Sequence, residues 1–324
     1  MAGTPRRFSL GAIVMDLGIH LPLMEFGNEG QSLARLHGAV DAARECEYAA
    51  LSANDHFVFG TPWLDGPTAL AAAIERSGDL ALATTVSLVA LRGPVALAKA
   101  LAALDILSGG RVIAGVGPGS SLRDYGAVGV PFADRWSRFE ESVRVLRALL
   151  GRGVAPERTH YYAMPEAELT PAPVQGGGIP LWIGSWGSSA GLRRVARLAD
   201  GWLASAYNTT PERFASAREQ LVAERTPQPR TSGGFPSALA TMWTWVTESR
   251  ADRERVLRDV LSPLLQREPD DLRDQLCIGS AERCAELLSE YARAGCDRVY
   301  LWPLGDEPRQ LELVADEVLP RIDQ

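Results

Sequence analysis

Three features of the 324-residue chain predict an α/β fold of the closed (β/α)8 barrel type: eight short apolar or β-branched runs, helical patterns after most of them, and no linker in between. With 46% hydrophobic residues the chain can bury a large core. The first strand is expected over Phe8-Ser-Leu-Gly-Ala-Ile-Val-Met15, followed by a helix over about 33–46. Further strands are expected at 49–53, 80–86, 112–116, 181–184, 202–205, 239–246 and 298–302. Helical patterns occupy 68–76, 95–107, 135–150, 190–198, 211–224, 281–294 and 310–319. The whole chain, 1–324, is read as a single domain. Two irregular insertions, 151–178 and 226–236, interrupt it, and an extra helix over 251–265, reaching to about 270, lies outside the minimal barrel.

In such a barrel chemistry belongs to the loops at the carboxyl ends of the strands. After the second strand comes Asn54-Asp-His56, after the fourth Gly117-Pro-Gly-Ser-Ser121, and after the fifth Ser185-Trp-Gly-Ser-Ser189. Tyr207-Asn208 follows the sixth strand and Pro303-Leu-Gly305 the eighth. Gly115, Gly117 and Gly119 spell G-x-G-x-G, but Ser120 stands where a dinucleotide fingerprint has its third glycine, and Asp134 opens a helix instead of closing a strand. An open dinucleotide-binding sheet is therefore not predicted. Isolated glycines would serve a tight turn; beside a second glycine–serine rim, Gly117, Gly119 and Ser120 are expected to touch a phosphate or a ring. Gly184-Ser-Trp-Gly-Ser-Ser-Ala-Gly191 runs from strand directly into helix, aiming backbone N–H groups and hydroxyls at one place. An N-cap explains one serine there but not three, so Gly184, Ser185, Trp186, Gly187 and Ser188 are expected to hold a phosphate.

Asp55-His56 offers an imidazole able to exchange protons near neutral pH and a carboxylate able to orient it. The plainer alternative has Asp55 capping a turn and His56 packing under a loop. His20, expected in the loop after the first strand, is a second rim candidate, whereas His37 lies within a helical pattern and His160 in the long insertion. Trp202 and Trp243 are expected in the core; Trp63, Trp186, Tyr207 and Trp302 are expected to wall an apolar pocket around an aromatic ring.

Composition removes other classes. Net charge is -7 and the arginines are dispersed, which predicts no nucleic-acid partner. The four cysteines form no C-x-x-C pair and the four histidines show no ligand spacing, so neither disulfides nor a metal are expected. The strand ends also lack the paired ligands of a metal-dependent hydrolase. Lys99, the only lysine, falls mid-helix, away from Schiff-base chemistry. The start Met-Ala-Gly-Thr-Pro-Arg-Arg has no signal-peptide core, and Arg92-Gly-Pro94 interrupts the longest apolar stretches, so no membrane span and a cytoplasmic location are expected.

An ordered series of motifs resembles the bacterial luciferase-like oxidoreductases over nearly the whole chain. It comprises Asp55-His56, Leu107-Ser-Gly-Gly-Arg111 with its Gly-Val-Gly-Pro-Gly119 exit, Arg138-Phe-Glu-Glu141 and Pro171-Ala-Pro-Val-Gln175. Pro180-Leu-Trp-Ile-Gly184, Ala199-Asp-Gly-Trp202, Gly279-Ser-Ala-Glu282 and Ala294-Gly-Cys-Asp297 complete it. The resemblance implies a barrel, commonly homodimeric, that binds a flavin or deazaflavin at its rim, the ring resting on a non-prolyl cis step matched by Thr85-Val86. Deazaflavin dehydrogenases of the family share Asp55-His56 but carry a Glu proton donor where Ser120 stands, and their nearby tryptophan has only a displaced counterpart in Trp63. Reduced-FMN monooxygenases activate O2 in an apolar pocket and need no such acid. The resemblance thus implies an enzyme that takes reduced FMN from a partner reductase and passes oxygen from O2 to a small organic substrate, with His56 managing protons. The alternatives are hydride transfer with the deazaflavin coenzyme F420, and a catalytically silent flavin-binding barrel.

Overall fold

The computed structural model describes residues 7–10, 13–27, 30–154, 156–162, 168–225 and 234–322. Ten strands occur among them: β1 Arg7–Leu10, β2 Ile13–His20, β3 Ala50–Ala53, β4 Ala81–Thr84 and β5 Val112–Val116, then β6 Leu181–Gly184, β7 Gly201–Ser205, β8 Ser237–Val246, β9 Cys277–Gly279 and β10 Arg298–Pro303. Eight of them, in the order β2-β3-β4-β5-β6-β7-β8-β10, pair in parallel, and β10 returns to β2 to close the barrel. The expected (β/α)8 architecture is therefore present. β1 pairs antiparallel with β2, and β9 adds to the far end of β8.

Helix starts follow from the residues before them. Ser32, Asp65, Ser188, Thr210 and Ser280 each accept a hydrogen bond from the N–H three residues on, and Pro67, Pro94 and Pro211 sit in first turns. The helices Pro94–Leu107, Arg135–Leu149, Ser189–Leu198, Pro211–Glu224 and Ala281–Arg293 match the expected spans within a residue. The expected 310–319 helix begins earlier, at Glu307, and passes into wider turns over Val314–Val318. The excursion after β8 is also helical, through Arg250–Arg255, wide turns over Val256–Leu261 and Ser262–Leu265.

The first strand needs correction. The barrel strand is β2, not the expected run from Phe8 to Met15, and His20 is its last residue instead of a loop residue. Asp16 and Gly18 look like strand breakers, but Asp16 accepts a bond from Arg298 Nη2 at 2.9 Å. A Cβ on Gly18 would fall 2.7 Å from the Tyr300 ring, so the absence of a side chain makes room for that ring. Strand β9 and a short helix, Leu122–Ala127, were not expected. In the 151–178 insertion the described part carries neither helix nor strand; Glu141 holds it by accepting the N–H groups of His160, Tyr161 and Tyr162 at 2.7–2.8 Å. Of the 226–236 insertion, 226–233 lie outside the described residues.

Most buried apolar side chains lie in one cluster that includes the layer between barrel and helices, and a smaller one joins Ala50, Ala83, Trp182, Leu203, Ala238 and Tyr300 from different strands. Alternating alanines with large rings and Leu203 fills a small barrel to the density of a core, leaving ligands to the rim. Among the described residues no helix is long and apolar enough to cross a membrane.

Candidate active site

The exits of β3 through β7 converge on one cavity of about 440 Å3, within the usual size of small-molecule sites. Asn54, Asp55 and His56 line it after β3, and Thr85 and Val86 after β4, where the peptide bond between the last two is cis. Gly117, Gly119 and Ser120 enter after β5; Gly184, Ser185, Trp186 and Ser188 enter from the end of β6 and the turn after it; Tyr207 enters after β7. Gly187 belongs to the same turn but is not in the lining. Gly117 lets two exits approach closely: a Cβ there would lie 2.6 Å from Val86 Cγ2.

The serine turn divides its work. Ser188 caps the helix Ser189–Leu198 by accepting from Gly191 N at 3.2 Å, while Ser185 Oγ accepts from Gly187 N at 3.4 Å. Ser189 faces away, toward Gln220. Two cations that the sequence reading did not single out also line the cavity. Arg194 pairs with Glu140 at 3.0 Å and covers the Trp136 ring at 4.6 Å. Arg135 lies over Phe132 at 4.2 Å and has no ion-pair partner among the described residues.

The expected pairing of Asp55 with His56 is not found. Asp55 is buried and receives Arg92 through Nε and Nη2, both at 2.6 Å, together with Leu88 N at 3.1 Å. Burial opposes the Arg92 charge, but hydrogen bonds and attraction from Asp55 and Asp65 outweigh it and keep the guanidinium protonated. His56 Nδ1 instead bonds Asp124 Oδ2 at 2.7 Å. Asp124 Oδ1 also accepts Phe57 N at 2.8 Å and Val58 N at 2.9 Å. Burial pushes the Asp124 carboxyl up, but the hydrogen bonds from His56, Val58 and Phe57 prevail and hold it below the usual carboxylate range. Phe59 and Trp63 rings lie 4.6 Å from the His56 ring, and Nε2 makes no hydrogen bond to the described residues.

His20, Trp63 and Trp302, expected as pocket residues, do not line the cavity. Trp302 is buried, stacked between His20 at 3.5 Å and Trp243 at 3.8 Å, with Trp63 edge-on at 5.7 Å. His20 donates from Nδ1 to Leu21 O at 2.7 Å and accepts Asn54 N on Nε2 at 3.2 Å. Burial pushes its pKa down to about 3, so it is a neutral brace for the Asn54 backbone. Trp202 is in the core as expected, stacked on Phe214. Tyr207 does line the cavity, and burial raises its pKa, keeping it a phenol.

Thr85 Oγ1 and Asn54 Oδ1 line or adjoin the cavity, buried with no hydrogen-bond partner among the described residues. Unpaired polar atoms in a wall of mixed polar and apolar residues suit a ligand with an apolar body and polar edges. The residues present therefore fit a flavin-type ring on Thr85, Val86 and Gly117, with an anionic tail toward the serine turn.

Fold and rim together define an α/β-barrel protein with a ring-sized cavity at the carboxyl ends of its strands. The chain belongs to the luciferase-like monooxygenase family, whose model matches residues 15–268. It is 30% identical over 201 residues to an uncharacterised protein of Mycobacterium tuberculosis, covering 61% of this chain and 68% of that one. It is 28% identical over 253 residues to the 4-hydroxyprotoasukamycin monooxygenase of Streptomyces nodosus subsp. asukaensis, covering 78% and 61%. It is also 30% identical over 172 residues to the F420-dependent glucose-6-phosphate dehydrogenase of Amycolatopsis mediterranei, covering 50% of each. The fold matches that of an F420-dependent secondary alcohol dehydrogenase with a TM-score of 0.79 at 16% identity, over 96% of this chain and 99% of the other. The resemblance read from the sequence motifs is thus confirmed, and the family's named relatives include both oxygenating and deazaflavin-using oxidoreductases.

Proposed function

We propose that this protein is a reduced-FMN-dependent monooxygenase that passes oxygen from O2 to a small organic substrate. One observation carries the choice: Asp55 is the only carboxylate lining the cavity among the described residues, and it is committed to Arg92. Where deazaflavin dehydrogenases of the family place a proton-donating Glu stands Ser120. The kinship with a monooxygenase supports the same reading. Bound reduced FMN, delivered by a separate reductase, supplies the electrons that activate O2.

The protein's own residues do the rest. Thr85, Val86 and Gly117 support the ring, and Thr85 Oγ1 and Asn54 Oδ1 take up its polar edge. Ser185, Trp186 and Ser188, with Gly119 and Ser120, hold the phosphate, and the cations Arg135 and Arg194 add attraction for it. Leu88, Phe139, Ile183 and Leu203 exclude water. His56 receives and returns a proton at Nε2, and Tyr207 borders the substrate space. Asp55 acts at one remove, by fixing Arg92 and the Leu88 N–H beside the ring step.

A second reading, hydride exchange with coenzyme F420, is favoured by the kinship with an F420-dependent dehydrogenase and by the Asp55-His56 pair. Anaerobic titration of the purified protein with reduced FMN and, separately, with reduced deazaflavin decides between them. Tighter binding of reduced FMN, with substrate-dependent O2 consumption, is expected; preference for the deazaflavin overturns the proposal. Cofactor binding without any turnover would make the chain a silent flavin-binding barrel. The same preparation, by light scattering, tests the homodimer that the family resemblance implies.

A further inference from the structure

From the hydrogen bonds around His56 we infer that Asp124 is a positioning residue that fixes the imidazole in the tautomer bearing its proton on Nδ1, presenting a bare Nε2 as the base of the site. This rests on the reading of His56 as the proton-handling group. Phe57 N and Val58 N both point their hydrogens at Asp124 Oδ1, at 2.8 and 2.9 Å, so that oxygen is an acceptor. An ionised carboxylate has no hydrogen to give, so the 2.7 Å contact between Oδ2 and His56 Nδ1 requires the hydrogen to come from the ring. In a neutral imidazole with Nδ1–H, the other nitrogen carries a lone pair.

The placement of Asp124 strengthens the point. It lies on the helix Leu122–Ala127, where Ser121 Oγ accepts its backbone N–H at 3.2 Å, and that helix continues directly from the glycine loop after β5. The carboxylate therefore ties the β3 exit to the β5 exit across the end of β4. Phe59 and Trp63 hold the imidazole, each at 4.6 Å, so the ring can neither flip nor swing without disturbing both. Two other groups are disqualified as partners. Asp55, the sequence neighbour of His56, is saturated by Arg92, and His20 has both nitrogens engaged. When Nε2 takes up a proton, the ring becomes an imidazolium facing a carboxylate that stays ionised; the proton then leaves again from Nε2, and Asp124 never carries it.

Asp124→Asn tests this with an isosteric change. The two backbone N–H groups hold the amide carbonyl where Oδ1 was, which turns the NH2 toward His56 Nδ1. A donor facing Nδ1 makes that nitrogen the acceptor and moves the ring proton to Nε2. Nitrogen-15 NMR of histidine-labelled protein reads the tautomer directly, without substrate or cofactor. The expected result is an unprotonated Nε2 signal in the wild type that becomes an unprotonated Nδ1 signal in Asp124→Asn. Turnover should fall at least about 100-fold with KM within about twofold, the loss typical of a misprotonated general base. A wild-type His56 protonated on Nε2, or one whose tautomer is the same in the variant, overturns the inference. Should Asp124→Asn fail to fold, the wild-type tautomer alone decides. The expected tautomers in a protein that consumes no O2 with reduced FMN would leave the role of Asp124 standing and refute the proposed oxygenase instead.

Discussion

The mouth of this barrel is built in two unlike halves. At the ends of β2, β10 and β8, His20, Trp302 and Trp243 stack ring on ring and fill the space; at the ends of β4 through β7, glycines, serines and Val86 leave it open. His56, after β3, sits on the border, touching Trp63 on one side and lining the cavity on the other. Both halves offer histidines, tryptophans and strand ends. What separates them is space: stacked rings occupy the one, whereas in the other Thr85 Oγ1 and Asn54 Oδ1 belong to the cavity wall with no hydrogen-bond partner among the described residues. The filled half is a brace and the open half is a receptacle.

The sharpest way to break that division is to empty the filled half. Trp302→Ala removes a fully buried ring stacked on both faces and should cost about 3–5 kcal/mol of unfolding free energy, read by urea denaturation. A loss below about 1 kcal/mol would mean that the stack supports nothing and that Trp302 is free to serve a ligand.

His20 gives the next largest effect, and its sign follows from where the proton goes. In the fold its pKa is about 3, against 6.5 in the unfolded chain, so between those values the unfolded state binds the proton and the folded state does not. Stability is therefore unaffected above about pH 6.5 and declines as pH falls toward 3. His20→Gln, which keeps an acceptor for Asn54 N, should remove about 2 kcal/mol of the stability difference between pH 7 and pH 4.5. Identical pH slopes in melts of the two proteins would show that His20 is protonated in the fold.

How much of this was legible beforehand differs between the halves for physical reasons. The barrel could be read because buried strands and amphipathic helices impose their own periods on the residues, and the glycine–serine rim because a bare backbone at a strand exit has few other uses. The expected first strand stops at Met15, just before Asp16 and Gly18; in the fold Asp16 accepts a bond from Arg298 and Gly18 makes room for Tyr300, both of which arrive from β10, far along the chain. Trp302 was assigned to the wrong half because the end of a strand says that a ring is near the rim but not which way it leans. Asp124 escaped notice because its helix is only six residues long and its partner lies 68 residues away, so the local pattern gave Asp55 to His56 instead. Arg92, which claims Asp55, is 37 residues from it.

Within the open half, Gly117→Ala narrows the receptacle without touching the brace. The new methyl would meet Val86 Cγ2 at 2.6 Å, so Val86 must move off the place where the ring is proposed to rest. FMN affinity, followed by flavin fluorescence, should fall about tenfold, because refitting a packed contact costs on the order of 1–3 kcal/mol. Unchanged affinity would put the ring elsewhere in the cavity.

Trp186 carries the smallest effect and the cleanest contrast with Trp302. Both are tryptophans at strand exits, but Trp186 is 56% exposed and Trp302 1%. A ring that covers little in the free protein contributes little to folding, so Trp186→Ala should change stability by less than about 0.5 kcal/mol. The same exposure at the edge of the cavity lets it close over a bound ring or phosphate, where an aromatic contact is worth on the order of 0.5–1.5 kcal/mol. The expected signature is a loss of FMN affinity of a few-fold with an unchanged melting temperature, the reverse of the pattern at Trp302. Affinity that stays the same, or stability that drops with it, would place Trp186 with the brace and erase the distinction between the two halves.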